Sequence, residues 1–175
     1  MKKYRKIVML LAFLVIGIYS SALYANDTTT SSNIKADTII KNDKTIDVLV
    51  SEDDYVRITQ PSKINMSTFE SKINLMGEII GGTKKGTEIT ISIYNKKEGT
   101  KTYKDEATYT YTLSKVGSTG TFNQLLELTE GDNKIVLAYV NTQDSKNDKM
   151  VFFITRETEE SKELIKNYNV FQGVK

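Results

Sequence analysis

The chain has no cysteine, no histidine and no tryptophan, and a single proline, Pro61. Without cysteine there is no disulfide, no thiolate nucleophile and no N-terminal cysteine to carry a lipid. Without histidine, Ser-His-Asp triads are excluded, and the common zinc and iron sites lose their usual ligands. Phosphate-cradling glycine motifs are missing too. Gly81-Gly82-Thr83-Lys84-Lys85-Gly86 lacks the Walker spacing and its Lys-Ser/Thr ending, and reads as a turn. No cofactor and no metal are expected.

Long apolar runs are scarce as well. The one that exists, Ile7–Ile18, follows the positive residues Lys2, Lys3, Arg5 and Lys6 and precedes small-residue exits at Ala22 and Ala25. Positive head, short apolar run and small-residue exit are the parts of a secretory signal, assigned to residues 1–25. The rival is an uncleaved anchor, since Ile7–Ala25 approaches the ~20 residues that a spanning helix needs. Either way the remainder faces outward, so the expected location is secreted or at the cell surface, and membrane contact runs only through an uncleaved N-terminal segment. Lys and Arg total 24 against 22 Asp and Glu, but four of the 24 lie in residues 1–25, which hold no acid. The remainder therefore carries 20 against 22, a net −2, too mixed to attract nucleic acid. Richness in Lys, Asn, Ile, Thr and Tyr suggests a bacterial surface protein.

Residues 26–43 begin with a polar tract (NDTTTSSNIKADT) and are expected to be a flexible spacer. From Lys44 to Arg156 the pattern is short β runs. Thr45–Val50 and Tyr55–Thr59 come first, and Pro61 then ends a strand or marks an edge. Lys72–Ile80 places Ile73, Leu75, Gly77 and Ile79 on one face. Glu88–Asn95 alternates Ile89, Ile91 and Ile93 against Thr90, Ser92 and Tyr94. Thr102–Lys115, Thr121–Thr129, Lys134–Val140 and Lys149–Arg156 complete the set. Residues 157–175 form a tail with a short helical pattern, in which Leu164, Ile165 and Tyr168 could make a small apolar face. Seven or eight closely spaced strands with no intervening helix argue for an antiparallel β-sandwich.

Residues 71–157 resemble bacterial immunoglobulin-like modules of the glucodextranase-B type. The resemblance is carried by INLMGEI (Ile73–Ile79), EITISIYN (Glu88–Asn95), Gly120-x-Phe122, the apolar strand before Gly131-x-Asn133, and VFFITRE (Val151–Glu157). Thr102–Lys115 is longer than the usual hairpin of that family. The resemblance implies an immunoglobulin-like sandwich and a role in binding, spacing or assembly rather than a particular reaction.

Three functional readings follow. The first is a non-catalytic exported module that binds a protein or cell-wall glycan partner or organises a surface assembly. The second is a carbohydrate-binding module using exposed tyrosines, with Tyr94, Tyr109 and Tyr111 as candidate ligand contacts and Tyr103 beside them; half-buried strand positions are the plainer account of Tyr109 and Tyr111. The third is a small carboxylate hydrolase built on Glu52, Asp53 and Asp54 or on Glu127 and Glu130, for which solvated surface is the plainer account. A calcium loop at Asp144, Asn147 and Asp148, or at Asp132 and Asn133, lacks the six to eight oxygens calcium wants.

Overall fold

A computed structural model describes residues 33–113 and 116–164. All of them lie in one compact unit, Ser31–Lys175, which carries its own core. The expected signal segment at 1–25 lies outside the described residues.

The unit is an all-β sandwich. The first sheet contains β1 (Ile34–Lys41), β2 (Lys44–Ser51), β3 (Val56–Gln60), β5 (Lys72–Ile79) and β8 (Thr121–Glu127), in the order β1-β2-β3-β5-β8. The second contains β4 (Asn65–Thr68), β6 (Glu88–Asn95), β7 (Tyr109–Leu113), β9 (Gly131–Asn141) and β10 (Lys146–Arg156), in the order β4-β10-β9-β6-β7. All pairings are antiparallel except β4 with β10, which run parallel.

The core follows from alternation. Leu49, Ile58, Leu75 and Ile79 point inward from the first sheet, and Ile89, Ile91, Ile93, Ile135, Leu137 and Phe152 meet them from the second; all are fully buried. Burying one such aliphatic side chain contributes roughly 1.5–3 kcal/mol, so this layer stabilises the unit without any disulfide. Val48 and Val50 point the other way from β2 and are buried as well.

Among the described residues ten strands replace the expected seven or eight, and the two additions are β1 and β4. The expected spacer is strand from Ile34 onward: β1 pairs with β2 along its whole length, from Ile34↔Ser51 to Lys41↔Lys44. The two strands are joined by Asn42-Asp43, both at positive φ (52° and 59°), a two-residue turn of the kind that matches strand twist. Backbone pairing and that turn hold β1 in place, although most of its side chains are exposed. β4 is four residues long with Met66 its one apolar residue, and its partner β10 lies far along the chain. Pro61 directly follows β3, as its missing N–H requires. In Thr102–Lys115 only Tyr109–Leu113 is a full strand; Tyr103 forms an isolated bridge with Lys96.

Of the tail, 159–164 is helical. Thr158 Oγ1 accepts the Ser161 N–H at 3.1 Å, a side-chain N-cap, and the Lys162 ammonium lies 5.6 Å from the Phe69 ring. Leu164 is 64% exposed, and Ile165 and Tyr168 lie outside the described residues.

Candidate functional site

The residues that carried the family resemblance are structural. Gly77 on β5 stands directly opposite Phe122 on β8. A Cβ at Gly77 would meet Phe122 Cζ at 2.4 Å and the Arg57 carbonyl oxygen at 2.6 Å, so the glycine makes room for the ring. Asn133 is fully buried. Its amide donates to the carbonyls of Thr129, Gly131 and Ile154 at 2.8, 2.9 and 3.2 Å, and its Oδ1 accepts the Thr129 N–H at 3.1 Å. One side chain thus ties the β8–β9 turn to β10. Gly131, at φ 80°, supplies the left-handed residue that turn needs. Gly77, Phe122 and Gly131-x-Asn133 are therefore packing and turn devices.

At one end of the sandwich a polar network joins three connections, β2–β3, β5–β6 and β9–β10. Tyr55 and Tyr139 stack with ring centroids 5.6 Å apart. Asp53 accepts from Ser51 Oγ at 2.7 Å, Tyr139 O–H at 2.8 Å and Lys146 Nζ at 3.0 Å. Tyr55 O–H donates to Asp144 at 3.0 Å, and Asn141 donates to the Thr83 carbonyl at 2.7 Å and to Thr87 Oγ1 at 2.9 Å. Burial pushes the Asp53 carboxyl up, but the hydrogen bonds from Ser51, Lys146 and Tyr139 together outweigh it and hold it below the usual carboxylate range. Burial, helped by the Asp53 charge, drives the Tyr139 phenol far above its ordinary value. The backbone N–H of Thr83, with further donors, holds Asp144 low. A general acid or base works best with a pKa near ambient pH; these groups are displaced away from it, and Tyr139 is fully buried. The network is a clamp.

Most of the remaining acids are exposed or paired. Glu52 is exposed, and Asp54 pairs with Lys35 at 2.6 Å. Glu127 pairs with Lys72 at 2.9 Å. Glu98 and Glu130 border an open cleft of about 490 Å³ with Lys96, Gly99 and Asp132, and Asp132 is held by Lys96 at 2.7 Å and Thr155 at 2.8 Å. Asp148 accepts from the Asn33 amide at 3.1 Å. Among the described residues no three His, Cys, Asp or Glu side chains gather as a metal site would.

The three candidate tyrosines do not share a face. Tyr109 and Tyr111 point inward from β7, opposite Ile93 and Ile91, and pack half-buried against the core. The Tyr111 oxygen accepts the Glu127 N–H at 3.1 Å, closing a gap between the two sheets at their β7 and β8 edges. Tyr94 is on the opposite side of its sheet. There it shares the outer face with Phe153, two strands away through Lys134, and Tyr103 lies against Phe153 with rings 5.8 Å apart. The outer aromatic group is thus Tyr94, Tyr103 and Phe153.

The most exposed built element is the β1–β2 ribbon. From Lys35 to Asp47 every residue is exposed except Ile39 and Ile46, which face each other across it. Ile40 is 81% exposed, the highest of the exposed large apolar residues described. Asn42-Asp43, flanked by Thr38–Lys41 and Thr45–Val50, was the sequence signal for this hairpin. Comparison with family models, curated proteins and solved structures finds no match to this chain.

Proposed function

We propose that the chain is an exported, non-catalytic immunoglobulin-like module that acts in binding or assembly at the bacterial cell surface. The observation that carries this is the contrast between its chemistry and its surface. Most of the described acids are held in ion pairs and hydrogen bonds or left exposed, and of the three carboxylates that line the open cleft, Asp132 is tied up by Lys96 and Thr155. A solvated ribbon with an exposed isoleucine projects from a rigid sandwich. Such a ribbon costs solubility and is suited to contact. The charged and apolar residues at 1–25 support export.

The test is binding of labelled residues 31–175 to intact bacterial cells, with unlabelled protein in competition. Saturable, competed binding is expected; uptake that excess unlabelled protein does not reduce would refute the reading.

Tyr94, Tyr103 and Phe153 favour a second reading, a glycan contact on the outer face of the second sheet, because aromatic rings stack on sugars while Tyr keeps a polar tip. It predicts binding to purified cell wall that the triple Ala variant loses.

A further inference from the structure

We propose that β1 pairs with β1 of a second copy of this chain, antiparallel and centred on Ile39, to join two sandwiches through one continuous sheet.

β1 is the outermost strand of the first sheet, and among the described residues no strand pairs with its other edge. An open edge of eight residues is a template for another strand. The hairpin fixes which groups are available. A two-residue turn closes with a hydrogen bond between its flanking residues, here Lys41 and Lys44. Bonding to β2 then alternates along the strand through Lys41, Ile39, Asp37 and Lys35. Ala36, Thr38 and Ile40 direct their N–H and C=O groups to the open side; the Thr38 N–H there donates to the neighbouring Asp37 carboxylate at 2.8 Å, a local bond that pairing exchanges for a strand bond, freeing Asp37 for Lys41.

A symmetric antiparallel pair that uses those groups has few registers, and charge separates them. Centring on Asp37 sets that carboxylate against its own copy. Centring on Thr38 sets Lys35 against Lys41, and centring on Ile40 leaves only Ile39 to Lys41 within the strand to pair. Like charges directly opposite are destabilising. Centring on Ala36 matches Lys35 with Asp37, but it draws in Ile34, already buried in the core, and leaves Ile39 and Ile40 uncovered. Centring on Ile39 sets Asp37 against Lys41 twice and opposes Thr38 to Ile40. It also aligns Ile46, Ile39 and their two counterparts in one apolar row across four strands. The interface is isologous and closed, so it makes a dimer rather than a fibre.

This deepens the assembly reading and rests on it for its use outside the cell. Monomers in solution would refute the pairing alone; absence of binding to cells would refute that reading alone.

The experiment is sedimentation equilibrium on residues 31–175. The parent is expected to be dimeric. Thr38→Pro removes an outward N–H that β2 does not use, so it should give a folded monomer. Asp37→Lys and Lys41→Asp should each weaken the dimer by roughly tenfold or more, since each places like charges opposite at two sites. Mixing those two variants should restore association as a heterodimer, and combining the substitutions in one chain should restore the homodimer. Ile39→Cys, the only cysteine in that variant, should cross-link to itself on oxidation, because cross-strand Cα atoms there stand ~4.5 Å apart, within disulfide range. A parent that stays monomeric to about 1 mM, or a dimer indifferent to Thr38→Pro and to the charge exchange, would overturn the proposal.

Discussion

Replacing Gly77 by alanine adds one carbon where two neighbours already stand. The new Cβ would lie 2.4 Å from Phe122 Cζ and 2.6 Å from the Arg57 carbonyl oxygen. The ring can tilt, but the carbonyl belongs to the adjacent strand β3 and its backbone, so part of the clash must be taken up by sheet movement. Overpacking of this kind costs about 1–3 kcal/mol, and the backbone partner places Gly77→Ala in the upper half of that range. For a denaturant slope of ~2 kcal/mol/M, a 2 kcal/mol loss moves the urea midpoint down by ~1 M. Phe122→Leu deletes three ring carbons, the clashing Cζ and Cε2 among them, and alone should cost about 2 kcal/mol. Made together, the two changes should cost less than their sum by ~1 kcal/mol, because the smaller leucine side chain vacates part of the space that the added methyl group needs. Urea unfolding of residues 31–175 and the three variants gives the four midpoints. A Gly77→Ala midpoint within ~0.25 M of the parent, or strict additivity in the cycle, would refute the packing account of the Gly77–Phe122 pair.

Other consequences can be checked with the same protein. Asn133→Ala leaves the half-buried Thr129 N–H and the carbonyls of Gly131 and Ile154 short of a partner, and should cost about 3 kcal/mol in urea unfolding. The folded-state pKa of Asp53 is lowered, so its contribution is present above the ordinary carboxylate value of ~3.9 and is lost as pH falls below that toward the folded value. Asp53→Asn should flatten the acid limb of a stability–pH curve. Tyr139 is raised, so its contribution holds below pH ~10 and is lost above it; Tyr139→Phe should flatten the alkaline limb. Tyr111→Phe removes the acceptor for the Glu127 N–H, costing about 1 kcal/mol and speeding hydrogen exchange at that amide, as seen by NMR.

The strands that the sequence disclosed are those with one face in the core. β5 and β6 alternate isoleucine or leucine with polar residues because one side of each is dry. β9 and β10 read as near-continuous apolar runs, since Val136, Ala138 and Val151 are buried on the outer side too. β1 escaped because most of it is solvated on both faces, which leaves no alternation; its only local sign was the Asn42-Asp43 turn. β4 escaped because four residues with a single apolar side chain, Met66, are too few to carry a pattern, and its parallel partner is set by tertiary contact.

The candidate contacts divided for a related reason. Alternation places Tyr109 and Tyr111 on the same face as Leu113, and Tyr94 with Thr90 and Ser92. Which of those faces met the core depended on the pairing Ile91↔Tyr111 and Ile93↔Tyr109, and cross-strand register is not written within either strand. The outer ring contact between Tyr103 and Phe153 joins residues fifty positions apart and had no local signal. Asp53, one acid of an ordinary polar turn in the sequence, became the centre of a clamp because Tyr139 and Lys146 arrive from β9 and β10.

The central claim is that this sandwich works outside the cell. The most direct measurement is the first peptide of the full chain, produced in a bacterium with a C-terminal tag, fractionated and identified by mass spectrometry. The account predicts tagged protein beyond the membrane that begins at Leu23 or Asn26, or keeps Met1 as a tether with the tag open to added protease. Intact chain beginning at Met1, confined to the cytoplasm and shielded from protease, would contradict it.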